Sequence, residues 1–150
     1  MSVTTAHPDY LSYRVKRLYL LISQRIDDAL KAHGLGRSQW QVLFRVRRAG
    51  TLAQRDLQQA LQVEPATLTG IIDVLVAKGW LERSESTSDK RCRVLSLSPE
   101  GSALLGTVPD PYESVETRML AGVSDDERAL MSAVLETMIH NVEDRSRTTS

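Results

Sequence analysis

Leu11, Val15, Leu18, Ile22, Ile26 and Ala29 recur at steps of three and four, which places them on one stripe of a long first helix. Tyr10, Leu21 and Leu30 widen that stripe, and Gly34 supplies the stop. The same period predicts a second helix over Arg37–Ala49 through Trp40, Leu43, Phe44 and Val46, closed by Gly50. Thr51 and Leu52 leave room for a strand stub only, and a short helix from Gln54 to Leu61 is expected to bury Leu57 and Leu61. Pro65 then opens a fourth helix, its missing N–H falling where no helical partner exists. In that helix Leu68, Ile71, Ile72 and Leu75 form an inward face, while Ala66, Thr69, Gly70, Asp73 and Ala77 point outward and Thr67 lies at the entrance. After Gly79 the period falls to two: Trp80 to Arg83 reads as a short strand, Ser84 to Ser88 as a polar loop, and Arg93 to Leu97 as a second strand. Pro109 and Pro111 interrupt the helix that follows. Beyond them Ser124-Asp125-Asp126-Glu127 is a capping box, and Leu130, Met131, Val134, Leu135, Met138, Ile139 and Val142 stripe a final helix.

These elements predict a mainly α chain with one small β-hairpin, in the order of a winged helix-turn-helix. The outward face of the fourth helix is nearly all small side chains, the shape a helix needs to sink into a DNA major groove. Its threonines can offer a hydroxyl to a base or phosphate and a methyl to thymine. Gly70 in mid-helix costs about 1 kcal/mol relative to Ala, so close approach by something is expected there. A slim face of this kind would equally suit packing against another protein element. The hairpin tip carries Asp89, Lys90, Arg91 and Arg93. A basic tip can straddle a phosphate backbone and place an arginine in the minor groove, where negative potential is focused. Asp89, two residues from Arg91, is expected to pair with its guanidinium and fix its direction.

Composition sharpens the picture in three places. With 150 residues and 41% hydrophobic content the chain can bury one core. Cys92 is the one cysteine, so no intramolecular disulfide forms and a reducing compartment suits the chain. No basic and apolar leader opens the sequence and no apolar run spans a bilayer, so a cytoplasmic protein without a membrane partner is expected. The net charge of zero conceals an uneven distribution. Residues 1–36 carry five basic and three acidic groups, 37–98 ten and six, and 99–150 four and ten, giving +2, +4 and −6.

Taken together, the motifs resemble the MarR family, the multiple-antibiotic-resistance type of bacterial winged-helix regulators. The family's Asp-x-Arg, five residues, Leu-Thr, two residues, Gly pattern is met by Asp89, Arg91, Leu97, Ser98 in the threonine position, and Gly101. Gln39-Trp40, Leu43, Leu57, Leu61, Pro65, Leu68-Thr69, Asp73, Leu75 and Gly79 also stand where that family has them. The resemblance implies a single MarR-like domain over 1–150, with 37–98 as its winged-helix DNA-binding part and 8–34 with 99–146 as a helical dimerisation part. It implies a homodimeric repressor on an inverted-repeat operator of double-stranded DNA, released by a small aromatic or anionic effector. By this resemblance Ala66, Thr67, Thr69 and Gly70 approach the bases or phosphates. Gln54, Arg55 and Lys78 are candidates for the backbone, and Asp89, Lys90, Arg91 and Arg93 form the wing, with Arg91 in the minor groove. Many members carry arginine at the positions of Gly70 and Val74, so readout here leans on the threonines and the wing.

The dimer interface is expected to include Leu11, Leu18, Leu130, Val134, Leu135, Met138 and Ile139, because one small domain has little core left to cover so much apolar surface, with packing inside the chain as the alternative. Tyr13, Arg17, Trp40, Phe44, Val108 and Tyr112 are the candidate effector-binding residues, or else ordinary core and surface positions. Cys92, between Arg91 and Arg93, is either a reactive thiol that makes the protein a redox-sensing regulator or a buried filler. A dimeric interaction module that no longer binds DNA is the other alternative; the charge kept at the wing tip counts against it. His7, His33 and His140 lack metal-ligand spacing, and no phosphate loop or nucleophile motif is present. No catalytic residues, metal or cofactor are therefore expected.

Overall fold

The computed structural model describes residues 10–89 and 91–143, which divide between Tyr112 and Glu113 into two compact units. In the first unit α1 (Leu11–Lys31) is followed by α2 (Arg37–Ala49), β1 (Thr51–Ala53), α3 (Gln54–Leu61), α4 (Pro65–Ala77), β2 (Leu81–Glu85), β3 (Arg93–Leu97) and α5 (Pro99–Thr107). Helix α6 (Pro111–Met119) and helix α7 (Asp125–Glu143) complete the order. No single helix among the described residues is long and apolar enough to cross a membrane.

Helix α1 ends at Lys31, and the turn that stops it closes at Gly34, the stop its sequence predicts. The Leu35 N–H donates to the Leu30 carbonyl at 3.2 Å and the Gly34 N–H to that of Lys31 at 3.1 Å, the paired bonds of a Schellman motif. Leu30 and Leu35, which flank the motif, are both buried. Arg37 at the head of α2 reaches back to grip α1, donating to the Asp27 carboxylate at 2.9 and 2.7 Å and to the Ser23 hydroxyl at 3.1 Å. That hydrogen-bonded guanidinium holds the Asp27 carboxyl below its ordinary range. A lowered folded pKa means the clamp contributes fully above the ordinary carboxylate pKa and fades as pH falls through the lower folded value. Amide hydrogen exchange at the α1–α2 junction is therefore expected to quicken in that acid window in the wild type. Asp27→Asn should show the quickened exchange already at neutral pH, and identical profiles for the two proteins would remove the clamp.

Core formation follows the apolar faces. Val42, Leu43 and Val46 from α2, Leu57 from α3, Ile72 and Leu75 from α4 and Leu95 from β3 are wholly buried, with Leu68 and Leu81 almost so. The strands form an antiparallel sheet in the order β1-β3-β2, with Leu52 opposite Leu95 and Leu81 opposite Leu97. Two sequence expectations change here. Leu61 is half-buried because the chain turns away at Gln62 in the left-handed region, φ 52°, leaving Leu57 as the buried residue of α3. Strand β2 omits Trp80 and runs on through Ser84 and Glu85, since β3 offers Val94 and Arg93 as ladder partners to two residues that read as loop.

Gly79 sets the turn from α4 into the sheet. Its φ of +75° lets its own N–H reach the Val76 carbonyl and the Trp80 N–H that of Leu75, at 2.9 and 3.0 Å. Ser98 then locks the start of α5 to the same turn: its hydroxyl donates to the Gly79 carbonyl at 2.5 Å and accepts from the Gly101 N–H at 2.9 Å. As Pro109 and Pro111 predict, the helix is interrupted, α5 closing at Thr107 and α6 opening at Pro111.

In the second unit the capping box is present as read. The Ser124 N–H donates to the Glu127 carboxylate at 2.9 Å, which holds that carboxyl below its ordinary range, and the Glu127 N–H donates to the Ser124 hydroxyl at 3.2 Å. Helix α7 has no buried residue: Leu130, Met131, Val134, Leu135, Ile139 and Val142 are all exposed, and Met138 is half-buried.

Candidate nucleic-acid interface

Helix α4 presents Ala66, Thr67, Thr69 and Gly70 to solvent. Among the described residues, the nearby backbone of its own helix apart, nothing lies within 4 Å of the place a Gly70 Cβ would occupy, so none of them makes the close approach its sequence implies. The start of α3 braces this face, with Gln54 Nε2 donating to Thr69 Oγ1 at 3.3 Å. From the other side Arg83 of β2 reaches Asp73 of α4, Nη2 to Oδ1 at 2.6 Å, with the arginine side chain only 22% exposed. This bracing from two sides holds the slim helix at a set angle to the hairpin. Asp73 reads in sequence as an outward residue and Arg83 as a strand end; their pairing appears only once the turn at Gly79 folds β2 back over α4. The Gln54 Oε1 and Arg83 Nε atoms are buried without hydrogen-bond partners among the described residues.

The wing differs from expectation in detail. The Asp89 carboxylate does not hold the Arg91 guanidinium; Oδ1 accepts from the Arg91 backbone N–H at 2.9 Å, and Oδ2 lies 3.7 Å from the Cys92 Sγ. A two-residue separation in a tight turn brings the nearer main-chain donor within reach before the long side chain. Arg91 is exposed, whereas Arg93 belongs to β3 and not to the tip. Lys90 lies outside the described residues. Cys92 is half-exposed and free, so it is not a core filler. Lys78 remains exposed, with its ammonium seated 4.7 Å from the centroid of the Trp80 ring. Arg55 is 73% exposed and 3.7 Å from Asp56. The structure brings Gln54 and Arg55 of α3 together with Arg91, Cys92 and Arg93 around one hollow of ≈ 230 Å³.

A second set of predicted residues converges on α2. Trp40 stacks on Phe44 with centroids 4.7 Å apart and leans on Tyr112 at 5.3 Å, and the Tyr112 hydroxyl accepts from Gln41 Nε2 at 2.7 Å. These aromatics line a cavity of ≈ 630 Å³ that also meets Arg45 and Arg48, while Val108 lines a neighbouring one of ≈ 390 Å³. Tyr13 and Arg17 line neither. The cations here are therefore on α2, and Arg48 sits over Phe44 at 6.0 Å. The signal was available, since Arg48 follows Phe44 by four residues and shares its helix face. Among the candidate interface residues Leu11 is 58% exposed, Leu18 44% and Leu130 67%.

Three linked helices carrying a slim exposed fourth-helix face, closed by a three-stranded sheet with an arginine-bearing tip, define a winged helix-turn-helix protein. Residues 35–93 match the model of the MarR family. The chain is 27% identical over 128 residues to the multiple antibiotic resistance protein MarR of Salmonella typhimurium, covering 82% of this chain and 89% of that protein. In three dimensions it resembles a mutant MarR from E. coli complexed with operator DNA, with a TM-score of 0.76, 23% identity and coverage of 85% and 92%. It also resembles Bordetella bronchiseptica BpsR, whose DNA binding is regulated by 6-hydroxynicotinic acid, with a TM-score of 0.74, 24% identity and coverage of 87% and 93%. Residues 35–93 thus form a MarR-family domain, and the relatives that match most of the chain are transcriptional regulators.

Proposed function

We propose that this protein is a cytoplasmic homodimeric repressor that binds an inverted-repeat operator and is released by a small-molecule effector. The observation that carries the reading is the exposed face of Ala66, Thr67, Thr69 and Gly70, held beside an arginine wing, with open space around Gly70. In this reading 37–98 is the DNA-binding part and 8–34 with 99–146 form the dimer module, whose apolar side chains stand exposed in the single chain. A two-fold dimer presents two α4 helices, so half-sites fall about one helical turn, roughly 34 Å, apart. Phosphate contacts from Gln54, Arg55 and Lys78 set affinity, the α4 face reads bases, and Arg91 enters the minor groove. The effector, a small aromatic or anionic compound, occupies the Trp40, Phe44 and Tyr112 cavity, whose wall carries Arg45 and Arg48 beside Asp56 and Asp110. The effector-regulated DNA binding of the structurally similar BpsR supports this last element.

Fluorescence anisotropy with duplex from the protein's own promoter region tests the reading. Preference over random duplex, with affinity falling steeply as salt rises, is expected; equal affinity for both would refute it. Arg91→Ala should weaken binding by about 1–3 kcal/mol, and an unchanged affinity would take the wing out of the mechanism. Gly70→Ala separates folding from function. The empty surroundings and helical position predict a gain in stability on the order of 1 kcal/mol, while the added methyl stands where the groove must approach. Urea unfolding and anisotropy on the same preparation should move in opposite directions; parallel losses would mean that Gly70 serves the fold.

A further inference from the structure

The hollow between the start of α3 and the root of the wing has a charge pattern that no other cavity described above shares. Arg55, Arg91 and Arg93 line it together with Gln54, and no carboxylate does. The nearby acids are otherwise engaged or distant. Asp89 accepts from the Arg91 main chain, and Asp56 makes only a long, exposed contact with Arg55 at 3.7 Å. Glu85 is opposite Arg93 in the ladder, yet neither Arg93 nor Arg91 has an ion-pair partner among the described residues. Three arginines on the wall of one small space concentrate positive charge there, and a guanidinium offers forked donors suited to a tetrahedral oxyanion. At ≈ 230 Å³ the space holds such a group with several waters, each of which occupies about 30 Å³.

We propose that this hollow is a site for a single phosphate group, gripped jointly by Arg55 and Arg93 while Arg91 at the tip is left for the minor groove, and filled by one backbone phosphate when duplex DNA is bound. The inference rests on the DNA-binding reading above and deepens it: a phosphate seated there ties α3 to β3, so one contact orders the helical part and the wing together. Free phosphate is the alternative source of the same chemistry.

Salt dependence distinguishes a shared phosphate from separate ones, because the slope of log affinity against log salt counts phosphates neutralised and not arginines present. Arg55→Gln and Arg93→Gln are each expected to lower the slope on duplex DNA by up to about 0.9, and the double variant by no more than about 0.9 in total. A fall of about 1.8 in the double variant would mean two separate phosphates and would overturn the site. The slope can be read on random duplex, so loss of operator preference, which refutes the regulator reading, leaves this test intact. A second arm uses inorganic phosphate on the free protein, with chloride at matched ionic strength as reference. Phosphate should raise the melting temperature of the wild type more than that of the double variant. Equal shifts would overturn the site. If no duplex binds, this arm alone decides, and a wild-type-specific shift would identify free phosphate as the occupant.

Discussion

Gly101→Ala should cost this protein on the order of 3 kcal/mol of folding stability, the largest single-methyl effect expected in the chain. A Cβ at that position would overlap the Trp80 carbonyl oxygen and stand 2.8 Å from its carbon and 3.1 Å from its Cα. Those atoms are backbone, and they cannot swing aside as a side-chain tip can. The Trp80 carbonyl also accepts the Ser98 N–H at 3.1 Å, and Ser98 joins Gly79 to Gly101 through its hydroxyl. Relief of the clash would therefore pull apart the junction at which α4, the sheet and α5 meet. Urea denaturation should show the midpoint shifted well below the wild type with little change in slope. A variant as stable as the wild type would show that the junction yields, and that Gly101 is held in the family pattern for some other reason.

Leu135→Asp together with Ile139→Asp should convert the proposed dimer to a monomer and weaken operator binding by about 10²–10⁴-fold, the gain expected from linking two half-site contacts. The physical ground is the apolar face of α7. Leu135 is 40% exposed and Ile139 49%, among six large hydrophobic residues exposed on that helix. Monomeric proteins seldom leave so continuous an apolar surface in water. Because both side chains face solvent in the single chain, carboxylates there are compatible with the fold and should leave its circular dichroism intact. Light scattering gives the mass directly. A dimer that persists in the double variant would place the interface elsewhere.

Much of the local architecture is legible in the chain because it depends on short-range periodicity and capping chemistry. The ranges of α2, α3 and the second wing strand follow from apolar spacing and from their Gly and Pro boundaries. The Ser124–Glu127 capping box needs only a serine and a glutamate three residues apart. The interruption at Pro109 and Pro111 follows from a missing N–H and a fixed φ. Less was legible where two segments had to meet. Asp89 reads as a partner for the Arg91 side chain and is instead bonded to its main chain. Arg48 shares a helix face with Phe44, but that it and Arg45 line a cavity depends on Asp110 and Tyr112, more than sixty positions away. The Asp73–Arg83 brace was invisible for a similar reason, its geometry depending on a left-handed turn between the two residues.

By itself, then, the sequence determined the succession of elements, the inward and outward faces of α4, the basic character of the wing and the unburied stripe of α7. Each of these is written in spacings of two, three or four residues, over which backbone geometry leaves few choices. Tertiary structure alone decided which charges act together. It drew Arg83 onto Asp73, seated Lys78 over Trp80, and gathered Arg55, Arg91 and Arg93 about one hollow. Electrostatic and hydrogen-bonded partnerships depend on distances of a few ångströms between side chains remote in sequence. Only the folding of β3 against α3 places Arg55 and Arg93 on the wall of one hollow.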